Sequence, residues 1–472
     1  MRQLQDKESD MKKAHDGKVG SLAMDRRQFL MGGVAAAAVA VAGQAPADGG
    51  AKAEKGGEAA KGALGPLIVS APVLQNAAET SIGVAFAVSA DASGWVEYST
   101  SPKLAGAKRA YSGAHGLMTV DDRVALVRLR GLRPATRYYY RVGADRIEYK
   151  GGYKMKNLGP EVDPKVHSFT TLGAGAKGSF CVINDTHDRK EAVGPVLAAL
   201  KKLKPAVVVW NGDASNTSET IDAAIGIFLR PHPDHPGYAA DTPYMFLNGN
   251  HDYRGRFNRR LGELMMYREP TERAPEFEEL GRNFVQRLGD VALIGLDTGE
   301  DKLDTNPKFA GIFRMKEYRE LQTRWLAKAV ETPAVKTARY RVAFCHIPLF
   351  DPRPDENPGD LAPADTAPGY KRDWAAWQRT CAKMWGPIFE KAGVELLVCG
   401  HQHRFRYNPG DKSRPWAQVV GGGPETSEEA VAGGSYPTVI EGRVEGGALV
   451  VKVHDALRGR VAKTFTVSPA RI

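Results

Sequence analysis

Two rhythms of apolar and polar residues divide the chain. Over residues 65–172 the apolar positions recur with period two: Ile82, Val84, Phe86 and Val88 alternate with small residues, and Val124, Leu126 and Leu129 do so less regularly. Successive side chains of a strand point to opposite faces, so this period, broken by turn residues, predicts an antiparallel β-sandwich. From Ser179 the pattern becomes continuous apolar runs, at residues 180–183, 206–210, 243–247, 342–345 and 394–399. Val193, Leu197, Leu200 and Leu203 recur between the first two at helical spacing. Strands that are apolar on both faces are covered on both faces, which predicts an α/β fold with helices outside the sheets over residues 179–467.

Length and charge add bounds. At 472 residues the chain exceeds one ordinary domain, and 42% apolar with 25% charged residues is enough to build cores. The formal charge is +10; residues 1–47 carry seven Lys/Arg and five Asp/Glu, so without them it is 10 − 7 + 5 = +8. A basic surface favours anionic partners. No Lys/Arg run interleaved with aromatics indicates a nucleic-acid groove. Cys181, Cys345 and Cys399 fall in core strands and Cys381 in a helix, as buried thiols rather than a disulfide framework.

Residues 1–47 read as a targeting segment. Arg26-Arg27 precedes Phe29-Leu30, an uncharged Ala/Gly-rich stretch runs over 29–42, and the small-residue triplets Ala40-Val41-Ala42 and Ala45-Pro46-Ala47 suit cleavage. The stretch is shorter than the ~20 residues that span a bilayer. It resembles a bacterial twin-arginine signal, departing at Asp25 and Met31. The resemblance implies recognition by the twin-arginine export machinery, a periplasmic or secreted location, and a mature chain without a membrane span. Residues 48–64, rich in Gly, Ala, Lys and Glu, read as a flexible linker.

The candidate chemistry lies where the apolar runs end. Five motifs, Asp185-Thr186-His187, Gly212-Asp213, Gly249-Asn250-His251-Asp252, Cys345-His346 and Gly400-His401-Gln402-His403, each follow such a run. Singly, each is ordinary: a strand-ending turn, a helix cap, a core histidine. Together they put carboxylate, imidazole and amide side chains on loops at the carboxyl ends of strands, where ligands of α/β sheets gather. That donor set suits Mn, Fe or Zn, and the absence of thiolates argues against a closed structural zinc site.

The ordered set resembles the calcineurin-like metallophosphoesterase superfamily, across residues 179–467. The resemblance implies a four-layer α/β/β/α sandwich holding two divalent or mixed-valence metal ions. Asp185, His187 and His403 would bind one ion, Asn250, His346 and His401 the other, and Asp213 would bridge them. His251 would face the substrate and protonate the leaving group. The implied activity is hydrolysis of a small phosphomonoester or phosphodiester by a metal-bridging hydroxide. Residues 438–444 and 448–453 then read as a hairpin extending the second sheet.

The N-terminal sandwich is similar to fibronectin type III domains. Leu132, Pro134, Thr136, Tyr138, Tyr140 and Val142 fall at their spacing, with one tyrosine expected to close a corner by bonding backbone. A sandwich before this catalytic unit looks like purple acid phosphatases. Those enzymes carry a ferric-iron-binding tyrosine three residues after the bridging aspartate, where this chain has Asn216, and Asp-x-Gly where it has Asp185-Thr186-His187. No tyrosinate–iron colour is therefore expected.

Further residues are candidates for substrate. Arg189 and Arg254 follow two of the motifs and offer planar forks for phosphate. His232 and His235 lie in a Pro-rich loop that would reach the cleft, and the loop 351–370, with five prolines, would set specificity. His15, His115, His167 and His454 match no motif. The alternative function is a secreted binding protein with a vestigial metal site, against which the retention of all seven ligand residues speaks.

Overall fold

The computed structural model describes residues 65–267, 274–351 and 370–469. The expected signal and linker, and the proline-rich specificity loop over 352–369, lie outside the described residues.

The strands of the N-terminal part are β1 (Val73–Gln75), β2 (Ser81–Ala87), β3 (Ala92–Ser99), β4 (Lys108–Tyr111), β5 (Gly113–Ala114), β6 (Leu117–Met118), β7 (Val124–Arg130), β8 (Arg137–Tyr149), β9 (Met155–Val162) and β10 (His167–Thr170). There follow β11 (Phe180–Ile183), α1 (Lys190–Leu203), β12 (Val207–Asn211), α2 (Ile221–Phe228) and β13 (Tyr244–Leu247). A second series comprises β14 (Phe284–Leu288), β15 (Val291–Gly295), α3 (Met315–Ala329), α4 (Pro333–Lys336), β16 (Tyr340–Phe344), α5 (Tyr370–Ala392), β17 (Leu396–Cys399), β18 (Arg406–Asn408) and β19 (Ala417–Val420). The chain closes with α6 (Glu428–Ala432), β20 (Thr438–Glu445), β21 (Ala448–Asp455) and β22 (Arg460–Val467).

Two sheets pack face to face as the apolar runs require. Parallel β11, β12 and β13 form the middle of one, and parallel β15, β16, β17 and β19 the middle of the other. Phe180, Val182 and Val209 point inward against Phe344, Val398 and Val419 of the opposing sheet. Their neighbours Cys181, Val208 and Trp210 point outward under α1 and α2. On the far side Ala343, Leu397 and Cys399 lie under Trp325 of α3 and Trp385 and Phe389 of α5. The result is the four-layer α/β/β/α arrangement, with the all-β segment in front.

Two features differ from expectation. The hairpin β20–β21 extends the first sheet, not the second: β20 pairs antiparallel with β11, and β22 continues that edge. Gly442 makes this pairing possible, because a Cβ there would overlap the Phe180 ring. The N-terminal segment is also not set apart. β1 joins β13 in parallel at Gln75 and Tyr244, so β1, β2 and β7 prolong the first sheet, and residues from Leu64 to Ile472 form one compact unit.

The remaining strands β10, β8, β3 and β4, with β9 on β8, form the other face of the sandwich. The tyrosine run packs its core. Tyr138 is buried and its hydroxyl accepts the Arg133 backbone N–H at 3.0 Å, while the buried Tyr140 donates to the Ala240 carbonyl at 2.6 Å.

Candidate metal centre

All the ligand loops leave the carboxyl ends of parallel strands. β11, β12 and β13 of the first sheet deliver Asp185, Asp213 and Asn250; β16 and β17 of the second deliver His346, His401 and His403. The backbone N–H groups of Asp185 and His187 donate to the carbonyls of Gly212 and Asp213 at 3.0 and 2.9 Å, zipping two loops together. The two sheets are tied where the His401 N–H donates to Asp185 Oδ2 at 2.9 Å. Asp185, His187, Asp213, His401 and His403 all hold positive φ, from 47° to 73°. L-residues adopt that region at a cost, and such strain persists where surrounding structure enforces it, often at functional sites. Gly400 has to be glycine, since a Cβ would run into the Asp185 carboxylate.

The donor atoms converge. Asp185, His187, Asp213 and His403 each offer one ligand atom, and these lie within 4.8 Å of one another. The Nε2 atoms of His187 and His403 face each other at 2.9 Å. Asp213 Oδ2 lies 3.6 Å from His187 Nε2 and 3.1 Å from His346 Nε2, so one oxygen addresses both groups. Its other oxygen accepts the His251 backbone N–H at 2.8 Å. Asn250 Oδ1 and His401 Nδ1 meet at 3.0 Å, and the His401 and His346 rings are 5.5 Å apart.

The surroundings prepare these atoms for a cation. His346 Nδ1 lies 2.9 Å from the Asn211 carbonyl, which fixes one proton there and leaves the buried Nε2, facing Asp213 and Asp185, as the atom that would exchange its proton for a cation. Burial pushes His187 and His401 down to about 3, so both are neutral at ordinary pH. Burial opposes protonation of His346 too, but the Asp213 and Asp185 carboxylates outweigh it and push it up to about 10. Burial raises the Asp185 carboxyl. Asp213, although burial opposes its ionisation, is held well below the usual carboxylate range by His346. Two buried carboxylates ringed by inward-facing imidazoles, with no Lys or Arg ion pair to either among the described residues, fit divalent cations in composition and in placement.

A profile of the calcineurin-like phosphoesterase family matches residues 178–405. The chain contains a calcineurin-like phosphoesterase domain. Among solved structures, the purple acid phosphatase PPD1 from seeds of yellow lupin (Lupinus luteus) superposes with a TM-score of 0.57 at 14% identity, covering 84% of this chain and 74% of its own. PhoD superposes with a TM-score of 0.54 at 13% identity, covering 85% and 92%. At those identities the likeness is one of fold. No curated protein matches the chain in sequence.

Around the candidate metal centre, several side chains differ from expectation. Arg254 does not present a vacant fork. Its Nε and Nη2 bond both oxygens of Glu300 at 3.1 and 2.8 Å, and Nη2 also bonds Asp301 at 2.9 Å, both carboxylates being buried. Its Nη1 lies 3.0 Å from His251 Nε2. The His251 ring meets His187 edge-on at 4.6 Å, with Nδ1 3.1 Å from the Asn216 carbonyl. Arg189 is half exposed, with Nη1 4.0 Å from Glu425 Oε1. The His232 and His235 rings lie 5.5 Å apart and tilted by 46°, with His232 beside Gly194 of α1, in the loop that enters the amino end of β13. That is the opposite end of the strand from the candidate metal centre.

Sequence reasoning missed the bracing residues. Glu425 Oε1 lies 3.3 Å from His403 Nδ1. Asn211 donates to the carbonyls of Cys345 and Val398, both at 3.1 Å, crossing from one sheet to the other. Asp252 accepts the backbone N–H and hydroxyl of Ser215 and the N–H of Gly249, and burial raises it to about 6. Asn211 adjoins the Gly212-Asp213 motif and Asp252 closes another without a role that its sequence could assign; Glu425 stands 22 residues beyond His403 with no pattern to mark it.

Proposed function

We propose that the protein is an exported hydrolase of small phosphate esters, mono- or diesters, working with two metal ions. Asp185, His187 and His403 would hold one ion and Asn250, His346 and His401 the other, with Asp213 offering its carboxylate to both. The observation that carries this reading is the convergence of these side chains from five strand-end loops of two different sheets. Bound there, such ions supply Lewis acidity and an activated water at neutral pH.

The chain's own groups do the remaining work. Asp213 turns Oδ2 toward both sets of ligands while the His251 N–H holds Oδ1. The His251 ring, steadied by the Asn216 carbonyl and by His187, is our candidate for delivering a proton to the departing alkoxide through Nε2. Arg254, anchored on Glu300 and Asp301, donates Nη1–H to that nitrogen at 3.0 Å, so the contact has to open before Nε2 can take up a proton and pass it to the leaving group. The twin-arginine segment supports export, and no helix among the described residues is long and apolar enough to cross a membrane.

The test is a panel of p-nitrophenyl mono- and diesters with added Mn²⁺, Zn²⁺ or Fe²⁺, alongside metal analysis of the purified protein. Bound metal and metal-dependent turnover that both disappear in Asp213→Asn are expected. Turnover unchanged in that variant overturns the assignment, and bound metal without turnover on any ester favours the binding-protein alternative.

A further inference from the structure

Among the described residues, every exposed large hydrophobic side chain except Ile312 and Val461 lies between Tyr111 and Val166. A β-sandwich in water has no use for such a concentration, and contiguous exposed apolar surface marks an interaction site. The side chains cluster on two hairpins. One is β5–β6, where Leu117 is 76% exposed and Met118 52%. The other is the β8–β9 tip, where Tyr149 and Met155 face each other as a cross-strand pair and Tyr153, in the turn, is fully exposed.

Register puts both hairpins at one end of the sandwich. Ala92, the first residue of β3, pairs with Arg146 just before the β8–β9 tip. It also bridges to Asp121 just after β6. The first described residue, Gly65, is at this same end, its carbonyl accepting Arg146 Nη2 at 2.7 Å. The residues before it in sequence include the uncharged apolar stretch 29–42.

We propose that this end of the sandwich docks on an anionic lipid surface. Tyr149, Tyr153 and Met155 alternate with Lys150, Lys154 and Lys156 within eight residues. Lys150 pairs with Glu148 at 2.8 Å, whereas Lys154 and Lys156 make no ion pair among the described residues. Tyrosine rings and lysine stems sit well at the boundary between headgroups and acyl chains, with the ammonium groups on lipid phosphates. A protruding hairpin tip enters such a boundary but offers no groove to a peptide. Pairing with a second copy along the open edge of β9 is opposed by Lys156 and Pro160 on that strand. Any tether through residues 29–42 reaches the folded unit at this same end.

The test is co-sedimentation of the full chain with vesicles of phosphatidylglycerol and phosphatidylcholine, or of phosphatidylcholine alone. Two variants are compared: Tyr149→Ser/Tyr153→Ser/Met155→Ser and Lys150→Gln/Lys154→Gln/Lys156→Gln. A third, Tyr153→Cys, carries a polarity-sensitive fluorophore and reports this site separately from residues 29–42. The expected result is preference for the anionic vesicles, a loss of about tenfold or more in either triple variant, and a blue shift of the fluorophore on binding. Hydrolysis of soluble p-nitrophenyl esters stays unchanged in all three. Equal binding by wild type and triple variants, equal affinity for neutral vesicles, or an unshifted fluorophore on vesicle-bound protein overturns the proposal. So does a dimer in sedimentation equilibrium that the triple serine variant dissolves.

Discussion

Glu425 and Arg254 show how much of the centre rests on residues that are not ligands. With its carboxylate at His403 Nδ1, Glu425 draws the imidazole proton to that side and leaves Nε2 facing Asp185 Oδ1 at 3.5 Å. Glu425→Ala is expected to weaken metal binding by about 10–100-fold in competition with a chelator, with Glu425→Gln, which keeps an accepting oxygen, in between. Arg254 neutralises the buried pair Glu300 and Asp301. Arg254→Ala leaves Lys302 as the remaining ion-pair partner of both carboxylates and should cost up to about 3 kcal/mol in urea unfolding. The pair also predicts a pH dependence. Burial pushes Glu300 up to about 7, while Asp301, although buried, is kept low by its hydrogen bond from Glu300. A carboxyl that binds its proton more tightly in the fold than in the unfolded chain contributes stability at low pH and loses it as pH rises. Stability from this group should therefore fall between about pH 4.5 and 7, and Glu300→Gln should flatten that part of the profile.

At the scale of elements, the sequence revealed what is local. β11, β12, β13, β16 and β17 are each an apolar run that ends in a ligand motif, so these strands and the seven candidate ligands could be read together, whereas the parallel β15 and β19 end in none. What it could not reveal is which sheet an element joins. The β20–β21 hairpin alternates correctly, but its partner depends on Gly442 meeting Phe180, two residues that no local pattern connects. Arg254 misled for the same reason: its carboxylate partners lie 46 and 47 positions away. Asn211 is another such link, one side chain reaching carbonyls beside β16 and β17. Asn211→Ala removes both bonds, although the Val398 carbonyl still accepts the Cys345 N–H at 3.2 Å, and is expected to destabilise the fold by about 2 kcal/mol. Because the lost bonds flank His346 and Gly400, metal occupancy should fall with it, read by metal analysis on protein that is still folded.

The whole molecule was expected as two successive domains, and the continuity of the first sheet gives that division a thermodynamic consequence. Asn76 Oδ1 accepts the Phe246 N–H at 3.1 Å, and Asn76 Nδ2 donates to the Met266 carbonyl at 3.0 Å. Tyr140 from the sandwich reaches Ala240. The apolar core runs without a break from Phe86 and Val127 to Phe180 and Val398. Unfolding one part would expose the edge of β13 and strand these buried polar groups, so the two parts should melt together. Calorimetry is expected to show one endotherm whose measured enthalpy equals the van't Hoff value. Metal binds only the folded centre, so stripping it with a chelator should lower that single transition as a unit, and restoring it should raise the transition again. Two endotherms, of which only one moves with metal, would instead mean that the sandwich folds independently and that the shared sheet is an incidental contact.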